Sequence, residues 1–211
     1  MSGHLNVRDI KTQISILLED ELRTKIVIPL ISSLGAEFVE DRHGSDENGK
    51  DIFFCCKNIL GDYKHCCFVL KAGNITKSGR NDIRSVFNQI DEAIERTAMS
   101  PIDHRSVVQI EEIMFLFNGI MNEPAKEVLE DKLRNYKYNI LRILNIDKLT
   151  LLIRNLLKEY SDLVKDYVFD VDTFSDFCNQ IVAQLDSRKQ KLSNSSKRIV
   201  ASRGEGYDYS R

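Results

Sequence analysis

The apolar positions of this chain change their spacing several times, and each change marks an element. Between residues 5 and 34, Ile10, Ile14, Leu17, Leu18, Leu22, Ile26 and Leu30 recur mostly three or four apart, the period of one helical face. Pro29 removes a backbone donor inside that run, which predicts a kink or break near Val27, and Gly35 ends the helix. A short strand, Ala36 to Arg42, comes next. Two brief apolar runs, Ile52 to Cys56 and Cys66 to Leu70, flank the turn residues Asn58 to Tyr63 and predict an antiparallel hairpin. With the turn centred on Gly61, Asp51 faces Lys71, the Cβ atoms roughly 5 Å apart on one side of the sheet. A slip of one residue would send them to opposite faces.

Beyond the hairpin the pattern alternates helix and strand. Asn81 or Asp82 caps a helix to about Arg96 on Ile83, Val86, Phe87, Ile90 and Ile94, with Gln89 just off the stripe. Residues 98 to 105 read as a linker. Gln109 to Phe117 is a strand whose unbroken apolar run, Ile113 to Phe117, implies cover on both faces. Asn122 caps a helix with Pro124 in its first turn, Asn139 to Asn145 is the last strand, and Asp147 caps a further helix. That order predicts an α/β fold, a mixed sheet with helices on both sides. A final amphipathic helix carries Phe174, Phe177, Cys178, Ile181, Val182 and Leu185 and needs a partner surface, either the same domain or a second chain. Three units follow: residues 1–160, a helical appendage at 161–190, and a flexible basic and polar tail at 191–211. Ser187 to Arg203 holds six basic residues and no acid. It is either a phosphate-neutralising arm or a solvated terminus.

Composition narrows the class. At 42% apolar and 29% charged residues, the chain has the make-up of a soluble globular protein. Its 30 basic and 32 acidic residues leave a net charge of −2, so nucleic-acid contact must come from a local patch. No apolar run approaches the roughly 20 residues of a membrane span, and Met1 to His4 lack a signal-peptide core, which predicts a cytoplasmic protein without membrane contact. Cys55, Cys56, Cys66 and Cys67 fall in the two hairpin strands and Cys178 in the last helix. Neighbours on a strand face opposite ways, and the spacing of structural zinc sites is missing. They read as buried free thiols rather than as a thiolate metal site or disulfide ladder.

The chemistry gathers around the hairpin. A glycine-punctuated loop, His43 to Asp51, delivers Glu47 and Asp51 to the start of one strand, and Lys71 ends the next. Paired carboxylates beside a lysine suit a hard divalent cation such as magnesium. The lysine can orient a water or neutralise developing charge. Phosphodiester hydrolysis uses these parts.

In this order and spacing, Glu47-x-Gly49-Lys50-Asp51, a hairpin and a strand closing on Lys71 resemble the core of the PD-(D/E)xK nucleases. The His43-Gly44-x-x-Glu47-x-Gly49-Lys50-Asp51 loop is similar to that of the Mrr-type restriction endonuclease-like branch. The resemblance runs from about Leu22 to Leu157. It implies a restriction-endonuclease-like mixed sheet and an Mg2+-dependent endodeoxyribonuclease, with Mn2+ as a substitute, acting on DNA in restriction or phage defence. Glu47, Asp51, Lys71 and Gln89 would be its catalytic residues, and Asp51, Glu47 and Leu70 its metal site. It also implies a further acid from the first helix, where Glu21 is the nearest candidate and Thr24 holds the aligned position. Val69 stands where the family carries Glu or Gln and cannot ligate a metal. Either Glu47 or another acid compensates, or the chain cleaves poorly or is an inactive nuclease-like module that binds nucleic acid or a partner. The absence of an evident sequence-reading segment also suggests a homodimer or a larger defence assembly.

Overall fold

The computed structural model describes residues 7–42, 49–79, 81–162 and 168–204. The N-terminal helical pattern forms, but it is broken earlier than Pro29 predicts. Helix α1 (Val7–Ser15) stops, and the chain restarts at α2 (Glu19–Glu21), passes through a π-helical stretch Leu22–Val27 and continues as α3 (Ile28–Ser33). The wider turn absorbs the proline. The Ile28 amide bonds back five residues to Arg23, so the missing donor of Pro29 falls at the junction of two hydrogen-bond registers rather than inside one. Gly35, at φ 93°, then terminates α3, and the Ala36 amide reaches back to the Ile31 carbonyl over 2.9 Å.

A five-stranded sheet in the order β1 (Glu37–Asp41), β2 (Ile52–Lys57), β3 (Tyr63–Lys71), β6 (Glu112–Phe117), β7 (Leu141–Asn145) forms the centre. The first three strands are antiparallel neighbours, and β6 and β7 join in parallel. This is the mixed α/β sheet flanked by helices that the alternation predicts. A separate two-stranded ribbon, β4 (Ala98–Met99) with β5 (Val107–Val108), begins in the stretch read as linker and closes just beyond it. Edge strand β1 carries a bulge, with Glu37 to Glu40 on one side opposing Cys55 to Phe53 on the other. Phe38 takes φ 52° there and packs edge-on against Tyr63, ring centres 5.5 Å apart.

Strand alternation splits the interior into two apolar layers. On one side Ile52, Phe54, Cys66, Phe68, Leu70 and Leu116 meet α1, the π-helical stretch, α3, α6 (Ile146–Glu159) and the start of α7 (Val171–Gly204). On the other, Phe53, Cys67, Val69, Ile113, Phe115 and Phe117 meet α4 (Ile83–Glu95) and α5 (Glu123–Leu133). Both faces of β6 are thus covered. Asp82 caps α4 by accepting from the Arg84 amide, and Asn122 caps α5 by accepting from that of Ala125. Helix α6 is capped by Asn145 rather than Asp147, because β7 runs straight into the helix without a linker.

The partner of the C-terminal stripe is the chain itself. Phe174, Phe177, Cys178 and Ile181 are buried in the layer containing α3 and the π-helical stretch, so this face is not left for a second chain. Gln13 of α1 fixes the entry to α7, donating to the Phe169 carbonyl over 3.1 Å and accepting from the Val171 amide over 3.2 Å. Lys25 adds a 2.8 Å contact to Asp172. The helix continues to Gly204, so part of the expected tail lies within it. No helix among the described residues is long and apolar enough to cross a membrane.

Candidate active site at the end of strand β3

The hairpin register differs from the expectation. Ile52 pairs with Phe68 and Lys57 with Tyr63, and the ladder ends at Ile52, with the Asp51 amide bonded to the Phe68 carbonyl, so Asp51 does not face Lys71. The cause is the turn. Asn58 accepts from the Leu60 and Asp62 amides through its side chain, and Gly61 takes φ 91°, centring the loop one residue earlier than Gly61. Asp51 and Lys71 therefore meet the end of β3 separately, Asp51 through the Phe68 carbonyl and the Leu70 amide and Lys71 as the last residue of the strand.

Asp51 is 2% exposed. Its Oδ2 accepts from the Leu70 amide over 2.6 Å, and its own amide donates to the Phe68 carbonyl over 3.0 Å. The carboxylate therefore replaces a main-chain acceptor at the point where the strands part, which accounts for a charged group tolerated at such depth. Leu70 buries its side chain in the α1–α7 layer, so only its backbone carbonyl can serve as a ligand.

Lys71, the next residue, places Nζ 3.5 Å from Glu19 Oε2. Glu19 opens α2, and its selection over Glu21 follows from the break after α1. Glu21 bends back to accept from the Leu18 amide over 3.3 Å and holds Lys25 at 3.2 Å, which commits it to closing the helix start. Thr24 donates its hydroxyl to the Asp20 carbonyl. Arg23, almost fully buried, ties this segment to the end of β1, lying 2.9 Å from both Asp20 and Asp41. A run of three acids, Glu19 to Glu21, is itself a first-turn signature, and it was the available signal for a helix start here.

Asn118 locks the two segments together. Fully buried after β6, it accepts from the Gly73 amide over 2.6 Å and donates to the Ile14 and Leu17 carbonyls, both at 2.9 Å. One side chain thus fixes the end of α1, just ahead of Glu19, against the turn just after Lys71. Gly119 beside it has no room for a side chain, since an added Cβ would lie 2.3 Å from the Gly73 carbonyl.

The remaining predicted residues fall elsewhere. Glu47, with all of 43–48, lies outside the described residues. Gly49, at φ 76°, rests directly on α4, where an added Cβ would lie 2.2 Å from the Gln89 carbonyl oxygen. Gln89 thus lies against Gly49, two residues before Asp51, and its side-chain Oε1 is buried with no hydrogen-bond partner among the described residues. Lys50 is also buried, donating to the Arg96 carbonyl over 3.1 Å, and burial lowers its pKa. Val69 is fully buried in the α4–α5 layer, an apolar wall where the resembled family has an acid. Among the described residues no group of three or more His, Cys, Asp or Glu is gathered as a metal cluster.

The fold and this strand end define a mixed α/β protein with a carboxylate–lysine site at the carboxyl end of a central strand. No family model and no curated protein matches the chain. Among solved structures it is similar to MspJI restriction endonuclease in complex with a 27-mer oligonucleotide, at a TM-score of 0.38 and 12% identity. That match covers 82% of this chain and 40% of MspJI.

Proposed function

We propose that the chain is a divalent-cation-dependent endonuclease that hydrolyses DNA phosphodiester bonds, with Asp51, Glu19 and Lys71 at its centre. What supports this reading is convergence. Two acids 32 positions apart in sequence engage consecutive residues of β3, Asp51 the Leu70 amide and Glu19 the Lys71 ammonium.

The donor set fits magnesium, which binds through one or two carboxylates and completes its shell with water and substrate phosphate. Asp51, Glu19 and the Leu70 carbonyl would hold it, Glu47 adding a further acid, and Gln89 Oε1, without a hydrogen-bond partner among the described residues, offers a buried oxygen. When bound, the cation supplies charge neutralisation at the phosphoryl oxygens and a more acidic water. The chain's own contribution is placement. The Leu70 amide fixes the Asp51 carboxylate, and the Lys71 ammonium, held by Glu19, is positioned to orient a water and offset negative charge as it develops. The resemblance of the His43 to Asp51 loop to the Mrr-type branch supports a role in restriction of foreign DNA.

The test is digestion of plasmid DNA with Mg2+ or Mn2+. Glu19→Gln is expected to lower cleavage about 10-fold or more, whereas Glu21→Gln leaves it within about 2-fold and lowers stability by roughly 0.5–1 kcal/mol through the lost helix-start contact. Equal effects from the two would remove Glu19 from the site.

Burial of Val69 favours a second reading, a nuclease-like module that binds DNA without cutting it. Placing a carboxylate in that apolar layer by Val69→Glu is expected to lower stability by about 1–3 kcal/mol and to add no cleavage. If the native chain is inert with either metal and Val69→Glu acquires activity, the binding-module reading replaces the enzymatic one.

A further inference from the structure

Four of the five cysteines lie in β2 and β3, and strand alternation sorts them by face. Cys55 and Cys67 share the side of Phe53 and Val69, while Cys56 and Cys66 share the side of Phe54 and Phe68. All four are free thiols. On the second face the two sulfurs meet: Cys56 Sγ lies 3.6 Å from Cys66 Sγ. The two residues are diagonal across the ladder, since Cys56 pairs with Lys64 and Cys66 with Phe54, and their side chains turn toward each other across that diagonal. No other sulfur–sulfur contact occurs among the described residues.

The members of the pair differ in access. Cys56 is half-buried and open to a small oxidant, whereas Cys66 is 1% exposed. Burial, with Cys56 beside it, pushes the Cys66 thiol well above the usual range, which keeps it protonated and slow to react with an oxidant directly. Cys55 and Cys67, pushed up by burial to about 11 and about 12, have the same resistance without a neighbouring sulfur.

We propose that Cys56 and Cys66 form a reversible oxidation site, in which a peroxide converts the touching thiols into a cross-strand disulfide within the β2–β3 hairpin. With hydrogen peroxide the balance is as follows. The Cys56 sulfur attacks one peroxide oxygen, the O–O bond breaks, and the products are a Cys56 sulfenic acid and one water. The Cys66 sulfur then attacks the Cys56 sulfur, the S–O bond breaks, and the hydroxyl leaves as a second water with the Cys66 proton. Two thiols are oxidised by two electrons in all, and one peroxide is reduced to two waters. The sulfurs must close from 3.6 Å to about 2.05 Å, by side-chain rotation together with a small approach of the two strands. The product pins the register of the two strands that deliver Asp51 and Lys71.

The experiment oxidises the full chain with hydrogen peroxide, blocks residual thiols in denaturant, and digests without reduction for mass spectrometry. A peptide pair joined through Cys56 and Cys66 and released by dithiothreitol is expected, with the thermal midpoint raised by roughly 4–8 °C. Cys56→Ser and Cys66→Ala should each abolish both, and Cys55→Ser should abolish neither. Oxidation that stops at Cys56 sulfinic acid with Cys66 still alkylated, or a link through any other cysteine in the folded protein, overturns the proposal.

Discussion

Asp51→Asn is expected to reduce magnesium-dependent cleavage of plasmid DNA by at least about 100-fold, the scale of removing a charge that supports the transition state, while leaving the fold intact. The asparagine retains an oxygen that can accept from the Leu70 amide, so the 2.6 Å bond that closes the strand end keeps its geometry and loses only its charge. Thermal unfolding followed by circular dichroism should therefore place the variant within a few degrees of the native chain, a shift of about 1 kcal/mol for a protein this size. Asp51→Ala is the less informative change, because it leaves a buried amide without an acceptor, at about 1–3 kcal/mol. Undiminished cutting by purified Asp51→Asn would remove this residue from any catalytic role.

Asn118→Leu is expected to produce the largest stability loss outside the apolar layers. Leucine keeps the branched outline, though it is bulkier, and leaves the Gly73 amide and the Ile14 and Leu17 carbonyls without their side-chain partner. Losing three buried hydrogen bonds costs about 3 kcal/mol or more, and the midpoint should fall by roughly 6–12 °C. The same change frees the α1–α2 junction from the turn after β3, so cleavage at a temperature where the variant remains folded should fall with it. Asn118→Asp separates these effects, since its carboxylate still accepts from Gly73 but cannot donate to the two carbonyls. A midpoint unchanged in Asn118→Leu would show that the junction is held by apolar packing alone.

Much of the fold is written in local pattern. The unbroken Ile113 to Phe117 run belongs to a strand covered on both faces, and Asn122 and Asp82 cap the helices that follow them, because a short side-chain acceptor before an amphipathic run has few other uses. Of the candidate site, the placement of Asp51 before β2 and of Lys71 at the end of β3 was legible, whereas the approach of Glu19 to Lys71 was not. With residues 5–34 read as one helix, the resemblance offers Glu21 as the nearest acid. The chain instead restarts at Glu19, and the position of that break is decided at a distance by Asn118, which accepts no part in any local motif. The hairpin register was missed for a related reason. Gly61 marks a turn but does not say which position it fills, and the Asn58 side chain makes that choice by bonding two amides further along. Pro29 shows the reverse case, a strong local signal whose effect was absorbed by a π-helical turn in the segment before it.

The bulge at Phe38 bears on how copies of this chain can associate. An outermost strand with a regular row of free amides and carbonyls invites a neighbour to extend the sheet, and natural proteins blunt such rims with kinks and charge. Here the irregular pairing from Glu37 to Glu40, the left-handed Phe38 and the acidic side chains of that strand together spoil the template on this flank. Joining through a continuous sheet across two molecules is thereby disfavoured at β1.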